Sequence, residues 1–574
     1  MKGPREAETP GMRVSEDWQV WIGEKELPVW EALKNTNHGT HDITRMSFVG
    51  FDLDKPLVVR IRAKKPGAVE VRPYAENIPT EKRGEELFLT LKKPTKLILT
   101  RGTGYEGTLI LTANPPHLPP KPESVTRYFA SGVHEVGELA LKSGDRVYLA
   151  EGAIVKGWFA LQKVENVQIT GRGILSLGHL PHKEDFRVFK GDATQNILIE
   201  GLTVCNAPGW IVSFWNGNSN LTVRNLKLVG SFRYNTDGVQ TGTDGLLVED
   251  CLLQCNDDNF SLNGVCKNVV IRNNLLWNLY NGGVFMLGWA TGQQFELRNF
   301  DVHHNVIFRA GGCCDYDRKA PFSLKLFGSN RVAENLKFSD IDIEDIAPYG
   351  RWLDFQAEKA TKSVVRKIQF ENITIRKTWR VEAELRGTSD GAIEEVAFTN
   401  LVIQGKRVAS PQDAGLNLIR TKNTTIDSKS FPDGIVFEAK KSGSESPQQS
   451  TVSSSAQAAG PNLLEARQKE LRGSVMDQKQ VDITMLLKVS GPGVYRYGVR
   501  VRGKDFPVKV TLLINDEQHP SPDVLLTGEG SQSVERTQPV RWDELRRAVL
   551  RIEVANGKRG SFQLEGIWLQ RSGG

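Results

Sequence analysis

The stretch NLTVRNLKL at residues 220–228 decides the fold. Each half alternates apolar and polar residues, as a β-strand with one buried face does, and an asparagine separates the halves. Related stretches recur along the middle of the chain, among them GLLVEDCLL at 245–253 and NVVIRNNLL at 268–276. The copies begin at residues 166, 196, 220, 245, 268, 299, 335, 367 and 395. Repeats of this length are typical of a solenoid.

A third alternating run lies between successive copies, as in GWIVSFW, DGVQTGT, DNFSLNG and GGVFMLG. The shorter units leave no room for a ten-residue helix beside three strands. Three short strands per turn of a right-handed parallel β-helix explain the pattern better than leucine-rich or propeller repeats. Asparagine at the unit starts tolerates a left-handed turn and can form a hydrogen-bonded ladder with its neighbours above and below.

The remainder of the chain predicts two further β domains. Residues 14–125 alternate in short runs such as KLILT and GTLILTA, which is typical of an antiparallel β-sandwich. The β-helix is expected over 126–440, and residues 441–461, rich in serine and glutamine, predict a flexible linker. Runs such as VKVTLLIN within 462–574 predict a second β-sandwich. The fold class is therefore all-β.

Composition excludes several classes of protein. The 574 residues carry 74 basic and 68 acidic side chains that are interleaved rather than clustered, so nucleic acid is not an expected partner. No apolar run is long enough to cross a bilayer, and the opening MKGPREAETPGMRVSEDW has no apolar segment of the kind found in secretion signals. The six cysteines have no spacing typical of a zinc site; we expect buried free thiols, and a disulfide stays an alternative.

Three aspartates interrupt the pattern within RYNTDGVQTGTDGLLVEDCLLQCNDDNFSLN at 233–263. Aligning the third strands of successive coils places four segments in one column: GWIVS at 209–213, DGVQT at 237–241, DNFSL at 258–262 and GVFML at 283–287. Asp237 and Asp258 then occupy equivalent positions in adjacent coils, about 5 Å apart. Asp257 is offset by one residue, which should place its side chain elsewhere.

Stacked like charges are unfavourable unless protons are shared or function requires them. One carboxylic acid can protonate a departing glycosidic oxygen while other carboxylates activate water, with about 6.5 to 9.5 Å between the two functions. We therefore predict an inverting glycoside hydrolase in which Asp257 is the general acid and Asp237 and Asp258 hold the water. The competing interpretation is that all three are turn or ladder residues, since Asn and Asp are common at β-helix corners.

These aspartates resemble the motif of glycoside hydrolase family 49, the dextranases and isopullulanases, and of the family 28 polygalacturonases in the same clan. Both families show NTD and then DD, here Asn235-Thr236-Asp237 and Asp257-Asp258. Family 49 is the more similar, because it also places a β-sandwich before the helix and a GW segment after DD, here in NGGVFMLGW at 281–289. The resemblance covers about residues 14–440 and implies an endo-acting, inverting hydrolase of α-glucans that needs no metal or cofactor.

Two parts of the polygalacturonase pattern are missing. That pattern has GHG beyond DD and later RIK, which grips the uronate carboxylate. Here LYNGG at 279–283 has no histidine, and FSLKLFG at 322–328 keeps only the lysine, Lys325. Uronate specificity is therefore not expected. The domain at 462–574 resembles a carbohydrate-binding or accessory sandwich, although it has no diagnostic motif.

Sugar sites need aromatic platforms and polar clamps around the carboxylates. Tyr234, Asn235 and Trp289 adjoin the motif segments, and Lys325 and Asp354 lie on the same type of strand two and three coils further on. We predict that these five residues contact substrate, although core packing and a solvated face explain them equally well one by one. Three other aromatic residues flank the trio and receive no role: Trp210, Trp215 and Tyr280.

Two alternatives stay open. One is another enzyme on the same scaffold, a polygalacturonase-like hydrolase or a lyase; calcium dependence and unsaturated products would identify a lyase. The other is a carbohydrate-binding β-helix without catalysis, in which binding would survive mutation of the trio. We expect a polysaccharide partner, no membrane contact, a monomer and, from the polymeric substrate, a secreted or periplasmic location.

Overall fold

The computed structural model describes residues 12–35, 43–101, 107–181, 185–232, 234–279, 281–289, 294–311, 320–347, 350–378 and 382–431, and beyond residue 471 the strands alone. Met1–Lys441 forms one compact unit and Ser442–Gly574 a second. The described residues are almost entirely strands, with one α-helix at Pro411–Ala414 (α1). Within these ranges, none of the helices has the length and apolarity needed to cross a membrane.

The first unit begins with two stacked sheets. Their strands are β1 Arg13–Val14, β2 Trp18–Ile22, β3 Lys25–Leu27, β4 Trp30–Asn35, β5 Ile43–Asp52, β6 Leu57–Ala63, β7 Val69–Arg72, β8 Thr80–Arg83, β9 Glu86–Leu91, β10 Thr95–Arg101 and β11 Leu109–Asn114. The orders are β1-β4-β5-β11-β10-β7 and β3-β2-β6-β9-β8. Trp18, Val20, Leu99 and Leu111 belong to one buried apolar cluster shared by both sheets, as in a β-sandwich.

The antiparallel prediction for this sandwich is wrong for one strand pair. β5 and β11 run parallel, with Ser47 opposite Leu109, whereas the other pairs of these two sheets are antiparallel. A parallel pair needs a long crossover between its strands. Here the crossover is supplied by all the strands between β5 and β11, so local alternation in the sequence could not reveal it.

The β-helix follows in the same unit. Its strands are β12 Arg127–Phe129, β13 Gly132–Ala140, β14 Arg146–Leu149, β15 Ala153–Gln162, β16 Glu165–Gly171, β17 Ile174–Ser176, β18 Arg187–Asp192, β19 Gln195–Glu200, β20 Thr203–Cys205, β21 Trp210–Arg224, β22 Lys227–Val229, β23 Val239–Glu249, β24 Leu252–Cys255, β25 Phe260–Leu262, β26 Val265–Arg272, β27 Leu275–Asn278, β28 Phe285–Gly288, β29 Glu296–His303, β30 Val306–Ala310, β31 Phe322–Ser329, β32 Val332–Ile343, β33 Leu353–Thr361, β34 Val364–Ile375, β35 Ala383–Arg386, β36 Ile393–Thr399, β37 Val402–Ile403, β38 Lys406–Arg407, β39 Leu416–Ile419, β40 Thr421–Lys422, β41 Thr424–Ile426 and β42 Lys429–Phe431.

Each of these strands pairs in parallel with a strand one coil away, apart from two antiparallel hairpins at β37–β38 and β41–β42. One ladder joins β18, β21, β23, β25, β28, β31, β33, β35 and β39, and we name it the site ladder. Parallel ladders along a rod confirm the solenoid that the repeat predicted.

The repeat residues have the structural role predicted for them. Asn196, Asn220 and Asn299 adopt left-handed conformations with φ of 55°, 53° and 57°. Their side chains bond from coil to coil, for example Asn220 Nδ2 to Asn196 Oδ1 at 3.0 Å. Inside the coils phenylalanines stack in register, with the rings of Phe260 and Phe285 5.3 Å apart. The turn preference and the stacked core both follow from the period of the sequence.

The sandwich packs directly on the β-helix. Met46 and Ile110 of the sandwich share a buried apolar cluster with Val229 and Trp277 of the helix. Leu33 N also donates to Asn206 Oδ1 at 2.8 Å, and Arg172 Nε lies 2.7 Å from Asp52 Oδ1. A continuous apolar seam explains why the two architectures form one compact unit rather than two domains.

The second unit contains two further sheets. Its strands are β43 Arg472–Val475, β44 Gln480–Leu487, β45 Gly493–Lys504, β46 Val508–Ile514, β47 Val524–Leu526, β48 Gly530–Glu535, β49 Val540–Trp542, β50 Arg546–Val554 and β51 Gly560–Arg571. One sheet runs β43-β51-β45-β48, with β49 on β45, and the other runs β44-β50-β46-β47. The predicted linker at 441–461 lies outside the described residues.

Candidate functional site

Two of the predicted carboxylates lie where neighbouring strands of the site ladder begin. β23 and β25 pair in parallel with Val239 opposite Phe260, so Asp237 lies opposite Asp258 two residues earlier. Gly238 N donates to the Asp258 carbonyl oxygen at 2.9 Å, which continues the parallel ladder to this level. The predicted pairing of the two aspartates in adjacent coils is therefore confirmed.

The predicted column is wrong by one residue in the preceding coil. Val212 pairs with Val239, which puts Trp210 rather than Gly209 opposite Asp237. The loop before a strand varies in length from coil to coil without changing how the strands pair. Aligning short segments by sequence similarity therefore does not determine which residue is the first to pair with the neighbouring strand.

The Asp257 carboxylate receives N–H donors on both of its oxygens. Asn235 N donates to Oδ2 at 2.9 Å, and the side-chain amide of Asn281 donates to the same oxygen. Asp258 N donates to Oδ1 at 3.0 Å. Asn235 adopts a left-handed conformation with φ of 54°, which asparagine tolerates. Three N–H donors on one carboxyl group fix the orientation of the Asp257 side chain.

Gly282 lies against both members of the Asp257–Asp258 pair. A Cβ at this position would lie 2.5 Å from Asp257 Oδ1 and 2.5 Å from Asp258 Oδ1. Gly283 N donates to the same Asp258 oxygen at 2.6 Å. Because both Oδ1 atoms would lie 2.5 Å from the same point, the distance between them is at most twice 2.5 Å. This distance is shorter than the roughly 6.5 to 9.5 Å expected between the acid and the base of an inverting enzyme.

The one-residue offset thus fails to separate these two side chains. Both aspartates precede β25, which begins at Phe260, and they lie in the turn that enters the strand. Alternation between the two faces applies only to extended residues inside a strand. The prediction that Asp257 points to a distinct place is wrong for this reason.

A buried thiol lies within the electrostatic reach of the whole trio. Cys255 ends β24 and has no exposed surface. Burial raises the pKa of the Cys255 thiol, and the negative charges of Asp237, Asp257 and Asp258 raise it further. Asp237 and Asp258 lie opposite each other on adjacent coils, and Asp257 adjoins Asp258, so the three carboxylates form one cluster. They are nearly buried, with 5, 5 and 7% of their surface exposed.

Buried amides hold the backbone on either side of the trio. Gln254 Oε1 accepts a hydrogen bond from Gly230 N at 2.7 Å, and its Nε2 donates to the Ser231 carbonyl at 3.1 Å, in the loop that leads to the NTD motif. Asn278 Nδ2 donates to the Asp257 carbonyl at 2.8 Å. Satisfied polar networks of this kind make the positions of the functional groups rigid.

Tyr234 and Asn235 lie beside the carboxylates, where the sequence placed them. The Asn235 backbone touches Asp257, and the preceding Tyr234 is 42% exposed, unusual for a large aromatic residue. An exposed aromatic ring is a suitable platform for a sugar. Tyr280 lies outside the described residues.

Trp289 lies next to Lys325, which is one coil further along the site ladder. It follows β28, and its backbone N donates to the Lys325 carbonyl at 3.0 Å. Its ring meets the edge of the Phe327 ring at 6.0 Å between centroids, and 42% of the side chain is exposed. Trp289 therefore borders the far end of the strand, not the end that carries Gly283.

Lys325 and Asp354 lie on the site ladder two and three coils beyond Asp258, but they are buried in an ion pair. Lys325 Nζ is 2.6 Å from Asp354 Oδ2, and the side chains are 4 and 0% exposed. Arg351 bonds Glu384 at 2.8 Å beside them, and Arg386 bonds the same glutamate. Burial raises the pKa of Asp354, and the Lys325 charge opposes that effect. We name these five residues the ion cluster.

Burial changes the interpretation of Lys325 and Asp354. The prediction of substrate contact requires a surface that a sugar can reach, and these two side chains have almost none. Each carboxylate of the ion cluster faces a cation, so the charges compensate one another. The paired residues, such as Lys325 and Asp354, lie about one coil apart in the chain. Inspection of the sequence one strand at a time does not reveal such pairs.

Sequence reasoning missed Asn281 and Gly282 as site residues. Asn281 lies 24 residues after Asp257, one coil further along, and it binds the Asp257 carboxylate. Gly282 is needed because any side chain would strike the two aspartates. Aligning the turns between strands, in addition to the strands, would have placed NGG beside NDD.

The β-helix is similar in sequence to known glycosidases. Residues 150–414 match the sequence model of the family described as Glycosyl hydrolases family 28. Over 212 residues the chain is 26% identical to a dextranase of Arthrobacter sp. (strain CB-8), which covers 32% of this chain and 33% of that protein. Over 163 residues it is 28% identical to a dextranase of Talaromyces minioluteus, 25% of this chain and 26% of that protein.

One solved structure shares the fold. Dex49A from Penicillium minioluteum superposes with a TM-score of 0.50 at 17% identity, over 70% of this chain and 91% of that one. The sequence matches to curated relatives span only about a third of the relatives' length or less. The chain is thus related to dextranases and to the family 28 glycosyl hydrolases, and it shares the β-helical fold with Dex49A.

Proposed function

We propose that this chain is an endo-acting glycoside hydrolase that cleaves a neutral α-glucan such as dextran or pullulan with inversion. The observation that carries the proposal is the cluster of Asp237, Asp257 and Asp258 at one corner of the site ladder. Like charges held this closely are costly unless chemistry uses them. The relation to dextranases supports the substrate class.

In the proposed reaction Asp257 donates its proton to the glycosidic oxygen as the bond from that oxygen to the anomeric carbon breaks. Asp237 and Asp258 accept a proton from a water that attacks the same carbon from the opposite face. The two products are a sugar with a free anomeric hydroxyl of inverted configuration and the released chain. Asn235 and Asn281 keep the Asp257 carboxyl oriented throughout.

The ion cluster favours a neutral substrate over a uronate. A uronate-binding lysine must present its charge to the substrate carboxylate, whereas Lys325 is already paired with Asp354 at 2.6 Å in a buried position. A polygalacturonate chain would have to displace Asp354 to reach it. A neutral glucan does not need to displace Asp354. The absence of a histidine at 279–283 also agrees with a neutral substrate.

One observation favours a second mechanism, hydrolysis with retention of the anomeric configuration. The short distance between the Asp257 and Asp258 oxygens suits a pair about 5 to 5.5 Å apart in which one residue is a nucleophile. Asp258 would then form a glycosyl ester that water later hydrolyses. Both mechanisms use the same trio and differ in the configuration of the first product.

The proposal also includes the domain organisation and location. The sandwich at 14–125 supports a right-handed β-helix at 126–440, and the linker at 441–461 leads to a C-terminal β-sandwich at 462–574 that binds carbohydrate. Such an enzyme acts as a secreted or periplasmic monomer, where polymeric substrates are found.

The test is hydrolysis of dextran, pullulan, other neutral glucans and polygalacturonate, with the fresh product followed by NMR. We expect sugar release from a neutral α-glucan, with the β-anomer appearing first. Initial release of the α-anomer would show that the anomeric configuration is retained rather than inverted. Cleavage of polygalacturonate alone, or an unsaturated product, would contradict the proposal.

A further inference from the structure

A groove runs along β18, from Asp185 and Arg187 at the start of the strand to Asp192 at its end, where β21 turns a corner. It encloses about 390 Å³ and is lined by Asp185, Arg187, Lys190, Asp192, Trp215 and Asn216. Trp215 received no role from the sequence, yet it is the one aromatic residue among these lining residues. We name this groove the corner groove.

The backbone of β21 is built to present Trp215 at this corner. Phe214 pairs with Thr241 and Asn218 pairs with Thr243, so the coil that holds Trp215 contains two residues more than its neighbour at this turn. Asn216 follows in a left-handed conformation with φ of 58°. Extra residues in one strand of a ladder redirect side chains, and here they bring a half-buried tryptophan to the groove.

The Trp215 ring is held in one orientation. Its Nε1 donates to Ser213 Oγ at 2.9 Å, and Ser213 Oγ donates to Gln240 Oε1 at 3.2 Å on the adjacent coil. Asn216 Nδ2 donates to Asp192 Oδ1 at 3.1 Å at the groove wall. A fixed ring loses little entropy when a ligand stacks on it, and the adjoining polar atoms have defined positions.

We infer that the corner groove is a distal sugar-binding subsite of the proposed hydrolase, with Trp215 as its platform. A ring face matches the apolar C–H face of a hexose, and the groove surrounds that face with carboxylate acceptors and cationic donors for hydroxyl groups. The two acidic and two basic side chains balance, which suits a neutral sugar better than an anion. This inference rests on the proposed function.

The position of the groove determines which substrates use it. Trp210 lies opposite Asp237 on the adjacent strand, and Trp215 follows five residues later. At about 3.3 Å per extended residue the platform is roughly 17 Å from the carboxylates. A sugar bound at the carboxylates cannot reach that far. The Trp215 end of the groove therefore binds a remote part of a longer chain, whereas the Arg187 end lies only two strands from Asp237, because Arg187 pairs with Trp210.

The test compares Trp215→Ala and Trp215→Phe with the wild type. Retardation in native gels that contain dextran or pullulan measures binding and needs no catalysis. We expect Trp215→Ala to weaken retardation and to lower kcat/KM on the polymer about tenfold, the usual size of the loss of one buried aromatic contact. Short isomalto-oligosaccharides that span the carboxylates but do not reach Trp215 should be cleaved at the wild-type rate. Trp215→Phe should retain most of the binding, because it keeps a stacking face.

Trp30→Ala is the matched control, since Trp30 is also half-buried but lies on β4 of the sandwich and does not line the groove. This control should leave retardation unchanged. Equal losses on short and long substrates, or unchanged retardation of a folded Trp215→Ala protein, would overturn the subsite. A wild type that is retarded more than Trp215→Ala yet hydrolyses no glucan would contradict the proposed function and leave the subsite supported; no retardation by any glucan would overturn the subsite.

Discussion

The trio and the ion cluster lie on the same ladder, and both are buried, yet their charges are arranged in opposite ways. Asp237, Asp257 and Asp258 bring like charges together, and backbone and amide N–H groups hold Asp257 and Asp258. In the ion cluster each carboxylate faces a cation, as Asp354 faces Lys325. A compensated cluster maintains the structure, whereas a like-charged one carries a cost that only function offsets.

This difference gives four predictions that separate the two regions. Mutations in the trio should affect turnover and leave folding intact. Mutations in the ion cluster should affect folding. If mutations in the trio and in the ion cluster changed turnover and stability to the same extent, the distinction between the two regions would be contradicted.

The largest effect is expected from Asp237→Asn and Asp258→Asn. Each removes a carboxylate that we propose as the acceptor of the water proton, so turnover of the polymer should fall about 10³-fold, within the usual contribution of a general base. Circular dichroism should match the wild type, and the melting temperature should be equal or higher, because each variant removes one of the like charges. Turnover within tenfold of the wild type in either folded variant would exclude that residue from catalysis.

Lys325→Met should destabilise the fold by about 3 to 5 kcal/mol, because it removes the nearer cation and leaves the buried Asp354 with only Arg351, 3.6 Å away. Urea unfolding measures the change in the free energy of unfolding. The double variant Lys325→Met/Asp354→Leu should recover much of the loss, since it removes both charges. A loss below about 1 kcal/mol in the single variant is typical of an exposed pair and would contradict the burial argument.

Gly282→Ala should lower turnover about 100-fold, because a misplacement of roughly 1 Å at reacting groups has that effect. The new Cβ would meet Asp257 Oδ1 and Asp258 Oδ1 at 2.5 Å and push them apart. Gly264→Ala is the matched control, with a similar φ of +74° and no atom within 4 Å of its Cβ. If both variants lose activity equally, backbone strain explains the effect and crowding of the trio does not.

The smallest effect concerns acid stability. Burial raises the pKa of Glu384, but hydrogen bonds from Arg386 and Arg351 outweigh it and leave the pKa below its ordinary value of 4.5. A depressed pKa stabilises the folded state above the unfolded value, and that stabilisation is lost as the pH falls through the folded value. The wild type should therefore lose more stability between pH 6 and acid than Glu384→Gln does. Parallel pH curves for the two proteins would exclude this ion pair as a source of acid sensitivity.

The sequence predicted much of this architecture because the period of the repeat is a direct physical signal. Alternation fixed the strands of each coil, and asparagine at the unit starts fixed the turns, as the left-handed Asn220 and Asn299 confirm. The register of Asp237 against Asp258 followed from the same alternation. Local patterns of this kind do not depend on the rest of the chain.

The errors arose where contacts join different coils or leave the strands. Alternation does not apply in the turn before β25, so the close approach of Asp257 to Asp258 was not foreseen. The Lys325–Asp354 ion pair joins residues that lie one coil apart. The extra residues after Phe214 direct the Trp215 side chain toward the corner groove. The length of each loop is independent of the repeat, and loop lengths decide these contacts.

The central claim is that Asp257 is the acid of a glycan-cleaving trio, and Asp257→Asn tests it most directly. Hydrolysis of dextran or pullulan should fall by several orders of magnitude in a folded variant. An α-glucosyl fluoride, whose leaving group needs no proton, should still be cleaved at a rate near that of the wild type. Polymer turnover within tenfold of the wild type would contradict the account.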